Sequence, residues 1–119
     1  MKIAITSKDC SLDSEVDPRF GRAAYILIID PDTLEFEAID NAKNTNSFKG
    51  AGIQAAASIS EKNAQVLLTG FCGPNAFTTL EAAGIKVVND VKGSVKQVIQ
   101  AFKNGSCTYA DGANVDGHW

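Results

Sequence analysis

Apolar and polar residues alternate in the first third of the chain in the way that β-strands require. Residues 2–6 place Ile3 and Ile5 between smaller or polar residues, a pattern typical of a strand. Residues 25–29 are apolar at every position, as expected when both faces of a sheet are covered. After an Asp-Pro-Asp-Thr turn, residues 34–39 alternate again. The second and third strands are therefore predicted to form an antiparallel hairpin, with the third strand more exposed and at a sheet edge.

Helical periodicity follows in the second half of the chain. Residues 51–63 predict a helix that has four small or apolar residues near one face. These residues are Ile53, Ala57, Ser60 and Ala64. Pro74 begins a second helix that Gly84 ends, and Ser94 caps a third helix that ends at Gly105. The short strands between these helices are residues 65–69 and 85–88.

The order of these elements predicts the fold class. Three strands are followed by helix, strand, helix, strand and helix, and right-handed crossovers in such βαβ units place helices on the faces of the sheet. We predict an α/β fold with three layers, α/β/α, around a mixed five-stranded sheet. A chain of 119 residues is long enough for one core, so residues 1–105 are predicted to form a single domain. Residues 106–119 are predicted to form a flexible C-terminal tail.

Composition narrows the classes of function. The formal net charge of −3 argues against the broad basic surface that nonspecific nucleic-acid binding requires. The chain has no apolar run of transmembrane length and no signal-peptide pattern, so we expect a cytoplasmic protein without a membrane partner. Cys10, Cys72 and Cys107 are widely spaced and form no Cys-x-x-Cys pair, which favours reduced thiols over a disulfide scaffold or a structural zinc site.

A glycine-rich turn after the fourth predicted strand is the leading candidate for a binding site. Gly70 and Gly73 would let a ligand approach the backbone, and the amides near Asn75 at the helix start favour negative charge. Cys72, near the same helix start, would have its thiolate favoured and could bind a soft metal. The alternative is that the glycines serve the turn and Cys72 is a small buried apolar residue. These residues alone support the two interpretations equally.

Two arginines lie in the long polar segment after the first strand. Arg19 and Arg22 flank Phe20 and Gly21, and their guanidinium groups are suited to clamping an oxyanion. The alternative, which a lone pair of arginines favours, is that they form surface ion pairs with nearby carboxylates. The nearby carboxylates are Asp9, Asp13, Glu15 and Asp17.

A second polar segment, which begins at Asn41, leads to a glycine-rich helix start. Gly50, Gly52 and Ala55 match the Gly-x-Gly-x-x-Gly/Ala pattern of dinucleotide-binding proteins. A polar loop rather than a strand precedes them, so glycine entry to a helix is the better interpretation. Residues for hydrolytic catalysis are few, since the only histidine is His118 and no Gly-x-Ser-x-Gly elbow is present.

Four segments together resemble the dinitrogenase iron–molybdenum cofactor biosynthesis family, and the resemblance covers nearly the whole chain. The segments are Asp-Pro-Arg-Phe-Gly-Arg-Ala at 17–23, Gly-Ala-Gly-Ile-Gln at 50–54, Thr-Gly-Phe-Cys-Gly-Pro-Asn-Ala at 69–76, and Ala-Gly-Ile at 83–85 with Gly-Ser-Val at 93–95. The resemblance implies a ribonuclease H-like sheet whose second strand is antiparallel. That arrangement agrees with the hairpin predicted from the alternating pattern.

The resemblance also implies a function. The chain is similar to small stand-alone members of the orange-protein type, which implies noncovalent binding of an anionic metal–sulfur cluster that contains molybdenum with iron or copper, without catalysis. The implied pocket lies between Arg19 and Arg22, the loop of residues 41–52 and the turn of residues 70–75. Cys72 and His118 are the implied candidate metal ligands.

The alternative function is that of a regulatory interaction module. Such a module would act through a protein partner, with a P-loop ATPase as the candidate, and would not require a cluster. A cofactor-assembly protein is the candidate partner if the chain carries a cluster.

Overall fold

The structure, a computed structural model, describes residues 1–41 and 50–114. Its strands are β1 (Ile3–Ser7), β2 (Tyr25–Ile29), β3 (Phe36–Asp40), β4 (Val66–Leu68) and β5 (Lys86–Val88). The helices of the described residues are α1 (Ala51–Glu61), α2 (Pro74–Ala82) and α3 (Val95–Lys103). None of these helices combines the length and the apolar character needed to cross a bilayer.

The strands form one mixed sheet in the order β3-β2-β1-β4-β5. β2 is antiparallel to both of its neighbours, whereas β1, β4 and β5 are mutually parallel. β3 lies at an edge and most of its residues are exposed. The mixed sheet, the antiparallel second strand and the exposed edge strand are therefore confirmed.

β3 begins later than the alternating pattern predicted, because Leu34 belongs to the turn. Leu34 has a φ of 65°, in the left-handed region, and its N–H donates to the carbonyl oxygen of Asp30 at 2.8 Å. The Asp30 carboxylate accepts hydrogen bonds from the N–H groups of Asp32 (2.9 Å) and Thr33 (3.3 Å). These backbone hydrogen bonds lower the pKa of Asp30 and hold the turn in place.

Strand side chains alternate between two cores, one on each side of the sheet. On one side they pack with α3, and these residues are Ile3, Ile5, Leu27, Ile29, Val66, Leu68 and Val88. On the other side they pack with α1 and α2, and these residues are Ala4, Ile26, Ile28, Leu67 and Val87. The sheet is thus covered on both faces, which confirms the three-layer α/β/α prediction.

The predicted apolar face of α1 is wrong for three of its four residues, and the fourth, Ala64, is buried just beyond the end of the helix. Ile53 is 41% exposed, and Ala57 and Ser60 are also exposed. The buried residues of this helix are instead Ala51, Ala55, Ala56 and Ile59. Small residues occur all around α1, so the period alone did not identify its inner face. The helix packs through alanines because they allow its backbone to approach the sheet and α2 closely.

The predicted helix ends are confirmed at several positions. Pro74 is the first residue of α2, and Gly84 and Gly105 adopt φ values of 77° and 75° just beyond α2 and α3. Ser94 caps α3, where its Oγ accepts from the N–H of Gln97 at 3.1 Å. The Gln97 side chain accepts in return from the N–H of Ser94 at 2.9 Å, which completes a capping box.

Close backbone contacts join the loops at the carboxyl ends of the parallel strands. A Cβ atom at Gly21 would lie 2.6 Å from the backbone nitrogen of Gly52, and one at Gly52 would lie 2.8 Å from the Cβ of Ala76. A Cβ atom at Gly70 would lie 2.7 Å from the Cα of Pro18. These glycines therefore serve close packing between segments that are distant in sequence.

We expect Gly21→Ala to lower the free energy of unfolding by about 1–3 kcal/mol, because the added methyl group meets rigid backbone rather than a flexible side chain. Urea denaturation checks this. Gly112→Ala is the matched control, since an added Cβ there has nothing within 4 Å, and its effect should stay within about 0.5 kcal/mol. Equal losses in the two variants would contradict the packing account.

Candidate functional site

The predicted site segments meet at the edge of the sheet where β1, β4 and β5 have their carboxyl ends. The loop that contains the two arginines follows β1 and precedes β2, while Asn41 follows β3. Residues 69–73 connect β4 to α2, and Gly50 begins α1. This edge is where ligands commonly bind in sheets with parallel strands.

The loop that contains Arg19 and Arg22, called the arginine loop below, forms backbone hydrogen bonds with the glycine-rich turn after β4. The Phe71 N–H donates to the carbonyl oxygen of Pro18 at 2.6 Å, and the Phe20 N–H donates to the carbonyl oxygen of Phe71 at 3.1 Å. Arg19 and Phe71 thereby form a parallel β-bridge. Two segments about 50 positions apart in sequence are therefore held in one fixed relation.

The buried Asp17 side chain stabilises the arginine loop through hydrogen bonds to its backbone. The two side-chain oxygens of Asp17 accept from the N–H groups of Arg19 (3.2 Å) and Ala24 (3.4 Å). Its carbonyl oxygen accepts a hydrogen bond from the hydroxyl of Thr6 at 2.6 Å. From the sequence, Asp17 was predicted only as a surface ion-pair partner of the arginines. The Asp-Pro sequence, in which an aspartate side chain can bind amides that follow it, was the signal for this structural role.

Arg19 combines a weak ion pair with an exposed side chain. Its Nε lies 3.9 Å from Asp17 Oδ1, and its side chain is 50% exposed. Of the four carboxylates expected near the arginines, Asp17 forms this pair with Arg19, whereas Glu15 pairs with Lys8 at 3.1 Å. Arg22 is partly buried in the same loop. The long ion pair leaves Arg19 able to contact a ligand.

Phe20 and Asn41, which were predicted to line the site, are buried. Phe20 is 2% exposed and packs in the core with α1 and α2. The Asn41 side chain donates to the carbonyl oxygens of Ala23 (2.9 Å) and Gly21 (3.3 Å). Both residues hold the arginine loop against the rest of the domain. In this conformation they therefore position the loop and do not form a surface that a ligand could contact.

The amino-terminal ends of α1 and α2 lie next to each other. Gly50 and Gly73 are their N-cap residues, and a glycine has no side chain that could bind the first-turn N–H groups. Gly52 of α1 contacts Ala76 of α2 closely, so the positive ends of the two helix dipoles are adjacent. Asn75 is exposed in the first turn of α2. This arrangement favours an anion beside the two helix starts.

The expectation of a favoured Cys72 thiolate is wrong. The Cys72 side chain is fully buried in the core, and burial raises the pKa of its thiol to about 12. Loss of hydration destabilises the thiolate more than the nearby helix dipole stabilises it, so the thiol is protonated at neutral pH. The alternative that Cys72 is a small buried apolar residue describes this conformation.

Other predicted residues lie outside the described part of the chain. His118 belongs to residues 115–119, and most of the polar loop between Asn41 and Gly50 belongs to residues 42–49. Within residues 1–41 and 50–114, no three histidine, cysteine or acidic side chains come together as a metal-binding group. The metal-ligand role of His118 stays a prediction.

A cavity that the sequence did not predict lies beside the turn. Its volume is about 360 Å³, and it opens between the end of β5 and the described part of the tail. Its lining residues are Val88, Asn89, Asp90, Val91, Ser106, Cys107, Thr108 and Ala110. Asn89 Oδ1 is buried and has no hydrogen-bond partner among the described residues. No local pattern could have revealed this cavity, since its walls come from two segments separated by α3.

Asn114 makes a further contact at this edge that the sequence did not predict. Its side chain reaches the backbone of the turn and accepts a hydrogen bond from the N–H of Cys72 at 2.8 Å. The two residues are 42 positions apart. The described part of the tail therefore packs against the domain at the candidate site.

Comparison with known proteins agrees with this architecture. Residues 1–105 match the family model described as dinitrogenase iron-molybdenum cofactor. The apo form of the orange protein from Desulfovibrio gigas is 45% identical over 96% of each chain, with a TM-score of 0.93. A Thermotoga protein described as belonging to the DUF35 family is 33% identical over 98% of each chain, with a TM-score of 0.83.

A more distant structure shows the fold alone. A protein from Methanocaldococcus jannaschii assigned as a dinitrogenase is 17% identical, with a TM-score of 0.69, over 94% of this chain and 96% of that one. A search of curated proteins found no match. The family model spans most of the chain and two of the solved structures exceed 30% identity over nearly their full length. The chain therefore belongs to the dinitrogenase iron–molybdenum cofactor family.

Proposed function

We propose that this protein binds and carries an anionic metal–sulfur cluster that contains molybdenum, and that it does so noncovalently and without catalysis. The observation that carries the proposal is that two helix starts with glycine N-caps lie next to each other and beside the arginine loop. Gly52 of α1 contacts Ala76 of α2, and the turn that precedes α2 is paired with the loop that holds Arg19. The loop that carries the two arginines and the first turns of two helices thus lie at the same edge of the sheet.

The attraction for an anion has to be local, because the protein as a whole has a formal charge of −3. Exposed charges are screened over about 10 Å at an ionic strength of 0.1 M, so only the groups nearest the ligand contribute strongly. Arg19, Arg22 and the first-turn amides of α1 and α2 supply that local field. A cluster with several sulfide ligands offers the acceptors that such donors need.

The family supports a cluster as the ligand rather than a simple oxyanion. The family model names an iron–molybdenum cofactor, and the orange-protein resemblance implies a molybdenum–copper sulfide as the alternative composition. We therefore propose a molybdenum-containing cluster and treat iron or copper as the second metal to be measured. A cofactor-assembly protein is the partner that such a carrier requires.

Cys72 is proposed to shape the site and not to ligate metal in the described conformation. Its thiol is buried beneath the turn, and its Sγ contacts the carbonyl oxygen of Gly73 at 3.7 Å. The cluster is instead held from the surface by Arg19, Arg22 and the amides around Gly73 and Asn75. A role for His118 as a metal ligand remains part of the proposal.

Wild-type protein reconstituted with tetrathiomolybdate and copper should retain both metals and a visible absorbance band after desalting. Arg19→Ala should weaken retention about tenfold, since it removes a charged hydrogen-bond donor. Lys103→Ala, which removes a positive charge at the far end of α3, is the matched control and should retain the cluster as wild type does. Arg19→Lys should fall between them, because it keeps the charge and loses the planar fork.

Two outcomes would contradict this proposal. Wild-type protein that keeps no metal after desalting, in reconstitution and when purified anaerobically from its own host, would rule out the cluster. Equal losses in Arg19→Ala and Lys103→Ala would show that the retained metal is bound by general charge and not at this edge. In the first case an unchanged affinity of Arg19→Ala for a P-loop ATPase partner would favour the interaction-module alternative.

Cys72→Ala should retain the metals within about twofold of wild type, because the thiol is not a ligand in this proposal. In the metal-free native protein at pH 8, iodoacetamide should label exposed Cys10 well before Cys72, since burial raises the pKa of Cys72 to about 12 and keeps the nucleophilic thiolate scarce. Mass spectrometry of the alkylated peptides gives both rates. Rapid labelling of Cys72 in the native protein, or loss of cluster in Cys72→Ala with an unchanged fold, would reverse this assignment.

A further inference from the structure

The described part of the tail runs along the outer edge of β5 in the same direction as that strand. The Ala110 N–H donates to the carbonyl oxygen of Val87 at 2.7 Å, and two residues further on the Gly112 carbonyl oxygen accepts from the Asn89 side chain at 3.4 Å. The two contacts are two residues apart in both the tail and the β5 segment, so the two segments run in the same direction. This path delivers Asn114 to the carboxyl edge of the sheet, next to the candidate site.

Asn114 binds the glycine-rich turn through three groups. Its Oδ1 accepts from the Cys72 N–H at 2.8 Å, and its Nδ2 donates to the Gly70 carbonyl oxygen at 3.0 Å. Its own N–H donates to the Cys72 carbonyl oxygen at 3.2 Å. Its Nδ2 also lies 3.4 Å from Asp90 Oδ1. One asparagine therefore satisfies backbone groups on both sides of Phe71.

The turn is consequently held from two opposite sides. The N–H and carbonyl groups of Phe71 point to the arginine loop, where they bind Pro18 and Phe20. The backbone groups of Gly70 and Cys72 point the other way, to Asn114. This alternation is that of a central strand, in which successive residues bind to opposite neighbours. On this second side the Gly70 carbonyl oxygen also accepts from the N–H of Asp90 at 2.9 Å, so Asn114 extends to Cys72 a pairing that the segment after β5 begins.

We propose that Asn114 is a positioning residue that fixes the conformation of the Gly70–Cys72 turn and, through Phe71, the placement of Arg19. The effect that Asn114 would have on cluster retention rests on the proposed function. The physical basis is that the Cys72 N–H lies at a largely buried position and loses its partner when the asparagine is removed. A turn that loses this partner samples other conformations and presents the arginine loop less uniformly.

Hydrogen exchange on metal-free protein tests the structural part of this inference without any cluster. In Asn114→Ala the Cys72 amide should exchange roughly five- to tenfold faster than in wild type, as expected for loss of one side-chain hydrogen bond. Asn104→Ala is the matched control, because Asn104 lies just beyond the carboxyl end of α3 and its side chain accepts a hydrogen bond from Gln100 of the same helix at 3.3 Å. Unchanged exchange in Asn114→Ala would overturn the inference.

The Asn114→Asp variant tests whether the hydrogen bonds of the Asn114 side chain, and not only the presence of the tail, fix the turn. This variant keeps the oxygen that accepts from Cys72 but places a carboxylate near Asp90 and the Gly70 carbonyl oxygen. Exchange of the Cys72 amide should be faster than in wild type at pH 8, and the double variant with Asp90→Asn, which restores a donor between the two positions, should recover at least half of the protection. Failure of the double variant to recover any protection would overturn the proposed hydrogen-bond geometry.

Cluster retention then tests the link to the proposed function. If wild-type protein retains the cluster, Asn114→Ala should release it about fivefold faster while its urea midpoint stays close to that of Asn104→Ala. An unchanged release rate would overturn the link to Arg19. If wild-type protein retains no cluster, the proposed function fails, and the exchange rates still decide whether Asn114 fixes the turn.

Discussion

The candidate site depends on the backbone pairing of Phe71 with Pro18 and Phe20. This pairing joins the loop after β1 to the turn after β4, and it is possible only because Gly70 lets the backbone of Pro18 approach where a Cβ would clash. Asp17 stabilises the same loop from inside the protein by accepting hydrogen bonds from its amides. The position of Arg19 relative to the start of α2 therefore follows from buried contacts and not from the arginine itself.

The residues around the site divide into those that shape it and those that can touch a ligand. Phe20, Asn41 and Cys72 are buried, and each of them fixes a piece of backbone or fills the core. Arg19 is half exposed, and Asn75 is exposed at the start of α2. This division explains how a short motif combines charged and apolar residues, because the apolar members anchor the loop that presents the charged ones.

The match to the orange protein and to the Thermotoga protein extends over nearly the whole of each chain, so the common feature is the complete architecture and not a single motif. In this chain α1 and α2 begin after glycine N-caps at the carboxyl edge, whereas Ser94, the N-cap of α3, binds the first turn of its helix in a capping box. First-turn amides of two helices brought to one place favour an anionic ligand there. The fold and the proposed cargo are consistent on this physical ground.

The sequence by itself determined the order of the elements, the hairpin, the helix ends and the family, because these depend on local periodicity, on turn residues and on short motifs. Only the tertiary structure decided which face of α1 is buried, since small residues surround that helix and packing against Ala76 and the sheet selects one side. The state of Cys72 was also undecided locally, because a helix start favours the thiolate and burial disfavours it, and only the packed core shows that burial prevails. The role of Asn114 was not predicted from the sequence, since its backbone partners at Gly70 and Cys72 lie more than 40 positions away and meet it only when the tail follows β5.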